Sequence, residues 1–170
     1  MTNTTQPTAS SAKIVAHMIG ALLLVTAAGM LPPIICSLIY GENDLFAFVV
    51  SATITAAIGA PLYWIYRRHE DLSPRHALLI ASCGWVIVSA ASALPFMIHG
   101  AIPSFADAFF EMMSGYTTSG STILTDIEVV PHGLLFWRSE THLIGGMGFV
   151  TIAVFLLPHG VSGLRQFRAE

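Results

Sequence analysis

Residues 117–122, Thr-Thr-Ser-Gly-Ser-Thr, place five hydroxyl side chains and one glycine in a row. Side chains this small leave backbone carbonyls uncovered, and Gly120 permits backbone angles that a side chain forbids. Carbonyl and hydroxyl oxygens are hard ligands without fixed charge. Such a set suits an alkali cation better than a transition metal. The carbonyls of Thr117, Thr118, Ser119 and Gly120, with threonine hydroxyls beside them, can replace an ion's water shell, which is how a selectivity filter works.

Such a strip acts only if an element carries it to a dry place. The stretch before it, Phe105 to Ser114, is apolar and helical in pattern. Gly100 to Pro103 is a turn, Ser104 suits an N-cap, and Asp107 three residues on completes a capping-box-like start. A helix ending near Gly115 is too short to cross a bilayer, which takes about 20 residues. A half-helix that dips into the membrane and returns as open backbone is allowed where that backbone lines a water-filled cavity or is buried in protein. Its partly negative C-terminal end favours a cation. An interfacial helix followed by an ordinary Thr/Ser loop fits the same residues.

Composition assigns the chain to the membrane class. It is 54% hydrophobic and 10% charged, with mean hydropathy +0.71. A net charge of -3 argues against a nucleic-acid partner. Cys36 and Cys83 sit inside apolar runs and read as buried small residues rather than a disulfide or metal site. The histidines are scattered without ligand spacing. Residues 1–12 are polar and expected to be disordered. The apolar run after Lys13 exceeds the roughly 7–15 residues of a secretory signal, so a retained span is expected.

Three full spans are predicted. The first runs from Ile14 to Tyr40, with Pro32 and Pro33 kinking or ending its regular helix; the second runs from Leu45 to Tyr66. The third runs from Ala77 to Ile98, with Pro95 near its end. A fourth apolar segment, Leu134 to Leu157, carries Arg138, Glu140 and His142 near its start and Gly145, Gly146 and Gly148 in its middle. These glycines fit close helix packing, or a hinge. Arg138 is placed either to brace an acid of the loop or simply at the interface. The expected fold is an all-α membrane protein. A two-helix extension (13–72) precedes one M1–re-entrant pore loop–M2 unit (73–170).

Charge gives the orientation. Lys13, Arg67, Arg68, Arg75, Arg165 and Arg168 fall on one side, so the N-terminus is expected in the cytoplasm. Glu42, Asp44, Asp107, Glu111, Asp126, Glu128 and Glu140 fall on the other. Acids there either concentrate cations at a mouth or are simply polar loop residues. Tyr63, Trp64 and Tyr66 beside Arg67 fit an interfacial aromatic belt.

The run from Phe109 to Thr122, Phe-Phe-Glu-Met-Met-Ser-Gly-Tyr-Thr-Thr-Ser-Gly-Ser-Thr, resembles the first pore loop of the Trk/Ktr/HKT potassium transporter superfamily. Gly133 to Arg138 (Gly-Leu-Leu-Phe-Trp-Arg) and Ile144 to Gly148 (Ile-Gly-Gly-Met-Gly) resemble the following helix of the bacterial Trk membrane subunits, TrkH or TrkG. The resemblance covers nearly all the chain from Lys13. It implies potassium uptake across the bacterial inner membrane, with Thr117, Thr118, Ser119 and Gly120 as the filter. Glu111 and Gly115 would support the loop, Glu111 either by bracing backbone or by touching the ion. It also implies potassium as the transported ion, no organic cofactor, and a cytoplasmic NAD/ATP-binding regulatory subunit. Against the channel signature Thr-Val-Gly-Tyr-Gly, Ser119 replaces Val, Ser121 replaces Tyr and Thr122 replaces the second Gly. Strict preference for potassium over sodium is therefore not carried across.

The family pattern has four pore units in one chain, and these residues hold one. The expectation is a truncated member, or several copies assembled as a homo-oligomer, with low or no transport by a single copy. Membrane lipid is the other partner. Two other classes fit less of the chain. One is a non-conducting assembly or helper subunit. The other is a rhomboid-like intramembrane serine protease using Ser119 with His142, and a Ser–His dyad needs the two within hydrogen-bond reach. A transporter, not an enzyme, is expected.

Overall fold

The computed structural model describes residues 8–66 and 74–148, and the regular structure within them is helical. Residues outside these ranges include the far end of the fourth apolar segment and the basic residues Arg67, Arg68, Arg165 and Arg168. α1 (Thr8–Gly29) begins inside the stretch expected to be disordered. α2 (Leu31–Tyr40) follows after one residue, Met30. Pro32 and Pro33 occupy the first turn of α2, where a missing N–H removes no helical bond. The break is bridged: Met30 N donates to the Ala27 carbonyl (3.3 Å) and Ile34 N to the Met30 carbonyl (3.2 Å).

The same device recurs. α4 (Pro74–Ser92) and α5 (Leu94–His99) are separated by Ala93, with Pro95 in the first turn of α5. α3 (Leu45–Ile65) is uninterrupted by any such break. Three stretches, Ala12–Tyr40, Leu45–Ile65 and Leu79–His99, are long and apolar enough to cross a membrane. They correspond to the three spans predicted. α6 (Phe105–Tyr116) is the short helix, and α7 occupies 132–148.

α1 lies along α3. Gly20 and Gly59 set that approach: a Cβ on Gly20 would stand 2.9 Å from the Gly59 carbonyl, and one on Gly59 would stand 3.1 Å from that of Gly20. In lipid, where apolar burial gives no drive for association, such backbone contact is what holds helices together. The core gathers where the helices are interrupted, around Met30, Phe48, Ala93, Phe96, Met112 and Trp137. Large apolar side chains such as Ile39, Phe46 and Trp64 face outward.

The α2–α3 loop is tied to the start of α7. Glu42 accepts from the backbone N–H of His132 (2.6 Å) and pairs with its ring Nδ1 (2.7 Å), while Tyr40 stacks on the same ring. The His132 side-chain hydrogen bond holds the Glu42 carboxyl below its ordinary range. A carboxyl lowered in the folded state contributes stability above its unfolded pKa, and this is lost as pH falls through the folded value. Acidification below about pH 4.3 should therefore cost the wild-type protein more stability than Glu42→Gln. His132 is half exposed, so the difference should stay within about 1 kcal/mol. Thermal unfolding of both proteins between pH 6 and 3 measures it.

Candidate functional site

α6 has 12 residues and is about 18 Å long. It ends at Tyr116, one residue beyond Gly115, and both residues are buried. Ser104 precedes it in extended conformation but makes no side-chain capping bond, so the expected capping box does not form. After Tyr116 the chain doubles back. Residues 123–126 return to line a cavity with the Gly100–Pro103 turn at which α6 began.

The strip forms the bend. Thr117 N donates to the Met113 carbonyl (2.9 Å), Thr118 N to that of Gly115 (2.9 Å) and Ser119 N to that of Ser114 (3.1 Å). The Thr117 hydroxyl also bonds back to Met113 (2.8 Å). The peptide N–H groups thus point into the end of α6. No hydrogen bond from the described residues reaches the carbonyls of Thr117, Thr118, Ser119 or Gly120. All four residues are exposed. Backbone hand alternates along the row: Thr118 has φ +56° and Gly120 φ +74°, while Thr117 is right-handed at −84° and Ser119 does not have positive φ. A positive φ on a threonine is rare, and such strained backbone gathers at functional sites.

Glu111 is fully buried beneath the returning limb. It accepts from the Thr122 hydroxyl (2.9 Å), from Ile123 N (3.0 Å) and from Arg138 Nε of α7 (2.5 Å). Arg138 thus pairs with the acid of α6. Glu111 faces the Thr122 hydroxyl, the Ile123 N–H and the Arg138 guanidinium.

α7 closes against the end of α6. A Cβ on Gly115 would run into the Thr141 hydroxyl, and one on Gly145 into the Tyr116 backbone. Among the described residues, Gly146 meets nothing closer than Thr118 Cγ2 at 3.7 Å, and Gly148 has nothing within 4 Å. Of Gly145, Gly146 and Gly148, only Gly145 makes a close contact; Gly133, at the start of α7, is likewise pressed against the Asp44 carboxylate. Gly145→Ala should therefore cost about 1–3 kcal/mol, since backbone must move to admit the methyl. Gly148→Ala should stay within about 0.5 kcal/mol. Thermal unfolding of the two variants tests the ranking, and a hinge would reverse it.

A family model described as TrkH, cation transport protein, matches residues 44–165. The chain belongs to the TrkH family. Among its relatives, the Trk system potassium uptake protein TrkH of Halomonas elongata is 38% identical over 164 residues, covering 94% of this chain and 34% of the relative. TrkG of Escherichia coli K12 is 34% identical, covering 95% of this chain and 34% of the relative. The crystal structure of the potassium transporter TrkH from Vibrio parahaemolyticus superposes with a TM-score of 0.80 at 32% identity, covering 89% of this chain and 32% of that one. The chain thus spans about a third of the length of the curated relatives it matches.

In this TrkH-family chain the predicted residues Thr117, Thr118, Ser119, Gly120, Glu111 and Gly115 fall on one turn-and-return. Sequence reasoning missed the polar groups behind it. Tyr116 OH meets Ser92 Oγ at 2.9 Å, and Trp137 Nε1 donates to the Ser92 carbonyl at 3.0 Å. Both rings are buried, and together they anchor α6 and α7 to the kinked end of α4. The Ser119–His142 pair does not form. The Ser119 hydroxyl meets Ser114 Oγ, and His142 Nδ1 meets the Arg138 carbonyl at 2.9 Å. Among the described residues no cluster of three or more His, Cys, Asp or Glu could hold a metal.

Proposed function

We propose that this chain supplies one wall of a four-walled potassium filter in a Trk-type uptake protein of the bacterial inner membrane. The carrying observation is the strip's peptide arrangement: the N–H groups of Thr117, Thr118 and Ser119 tied inward, four exposed residues whose carbonyls accept no hydrogen bond from the described residues, and no fixed charge. Those carbonyls replace water around an unhydrated potassium ion. The alternating hand at Thr118 and Gly120 brings successive peptides to one side, and Glu111 with Arg138 holds the limb in place.

In this reading α4–α5, α6 and α7 are the M1, pore helix and M2 of one repeat, and α1 to α3 are the extension beside it. The N-terminus is cytoplasmic and the acids Glu42, Asp107, Asp126 and Glu128 stand at the outer mouth, raising the local cation concentration. A closed ring needs three more walls, from further repeats of a longer chain or from further copies of this one. The Trk resemblance adds a cytoplasmic NAD/ATP-binding regulatory subunit.

The test is complementation. In a bacterium lacking potassium uptake, the complete reading frame containing these residues should restore growth at low potassium and rubidium influx. Growth no better than with empty vector overturns the reading. So does growth indifferent to the residue at position 120.

A further inference from the structure

We infer that Ser114, a buried hydroxyl behind the strip, is a positioning residue that ends the row of ion-facing carbonyls at Gly120 and so sets ion preference. The inference rests on the filter reading above. Ser114 lies in the last turn of α6 and is 4% exposed. Its Oγ stands 2.6 Å from the Ser121 carbonyl oxygen and 2.9 Å from Ser119 Oγ.

A hydroxyl has one proton to donate, and a carbonyl can only accept. Ser114 therefore donates to Ser121. Its contact with Ser119 then has one polarity: Ser119 donates and Ser114 accepts. The relay runs Ser119 to Ser114 to the Ser121 carbonyl, with every proton assigned. Ser119 also lies 3.5 Å from the Ser114 carbonyl, too long to compete.

Two things follow for the strip. The Ser119 side chain is drawn toward α6, so this residue offers the ion its carbonyl rather than its hydroxyl. The Ser121 carbonyl is turned back toward Ser114, whereas those of Thr117 to Gly120 accept no hydrogen bond from the described residues. Ser121 has no second donor among the described residues. Remove the Ser114 hydroxyl and this carbonyl is released toward the same side as its neighbours. The number of oxygens around the ion then changes, and ligand number and field strength decide between potassium and sodium. Glu111 does not substitute, because its carboxyl is engaged with Thr122, the Ile123 N–H and Arg138.

The experiment uses the complete protein in a potassium-uptake-deficient bacterium, with rubidium influx measured against rising sodium and membrane amounts matched by immunoblot. Ser114→Ala should keep influx but lower the potassium-to-sodium preference about three- to tenfold, the equivalent of one net hydrogen bond. Ser114→Thr, which keeps the hydroxyl, should restore most of it. Ser119→Ala removes only the first link and should shift the ratio less than Ser114→Ala. If Ser114→Ala does not reach the membrane, Ser114→Cys keeps the volume with a weak donor and should show the same loss in part. Wild-type preference in Ser114→Ala or, failing that variant, in Ser114→Cys overturns the inference, as does a larger shift in Ser119→Ala. Gly120→Asp separates the two levels. Wild-type influx in that variant overturns the filter reading itself. No influx there, with unchanged preference in Ser114→Ala, overturns only the role of Ser114.

Discussion

Gly120→Asp is expected to abolish potassium influx while leaving the fold in place. Gly120 has φ +74°, and nothing lies within 4 Å of the point where a Cβ would sit, so the cost to folding is conformational and not steric. A side chain in the left-handed region costs roughly 1–2 kcal/mol, and Asp is among the residues that tolerate it best. The electrostatic effect is larger. A carboxylate about 4 Å from a bound cation attracts it by about 4 kcal/mol at an effective dielectric constant near 20. Each 1.4 kcal/mol is about a factor of ten, so release would slow by roughly a thousandfold. Conduction needs an ion held weakly enough to leave. Gly41 provides the control. It has φ +66°, also with nothing within 4 Å, but it caps α2 in the loop before α3. Gly41→Asp carries the same conformational cost and should retain influx. Rubidium uptake and thermal unfolding of both variants decide the matter; influx within threefold of wild type in Gly120→Asp contradicts the expectation.

Much of the fold was legible because membrane spans depend on long-range composition and on proline, both visible in sequence. The ends of α3 were predicted to within a residue. Pro32, Pro33 and Pro95 marked the two interruptions, each in the first turn of the following helix, whereas Pro61 lies inside α3 without ending it. Local hydrogen bonding was less legible. Ser104 and Asp107 have the right types and spacing for a capping box, yet no side-chain cap bond is made. α6 ends at Tyr116, within a residue of the end expected near Gly115.

At the site, sequence supplied the actors but not their pairing. An acid at position 111 and an arginine at 138 were both visible, and whether they met depended on how α7 is rotated against α6. The same rotation explains the glycines. Gly146 points about 100° away from Gly145, and Gly148, on nearly the same face, lies about a turn further along, so Gly145 is the one set against the Tyr116 backbone. Ser114 carried no signal at all. Its partners, Ser119 and Ser121, are set by the conformation of the bend, and a serine near a helix end reads equally well as solvent-facing.

Glu111→Ala should be the most destabilising single change in the loop. Glu111 is 0% exposed, and the Arg138 side chain is 20% exposed. Truncation removes the acceptor for the Arg138 guanidinium, the Ile123 N–H and the Thr122 hydroxyl together. Breaking a buried ion pair from one side typically costs about 3–5 kcal/mol, because the remaining charge stays behind without its partner. Restoring solvation would require the returning limb to lift away from α6, and that limb carries the strip. Stability and influx should therefore fall together, unlike in Gly120→Asp, where influx alone is lost. Replacing both partners with apolar residues of similar volume separates charge from shape. Glu111→Met with Arg138→Met should recover a large part of the stability lost in Glu111→Ala, since no charge is stranded, but not the influx, because Ile123 and Thr122 still lack their acceptor. A double-mutant cycle on thermal unfolding, read beside rubidium uptake, measures both. Additive losses would mean that the pair is not coupled, and the brace would then rest on the backbone bonds of Glu111 alone.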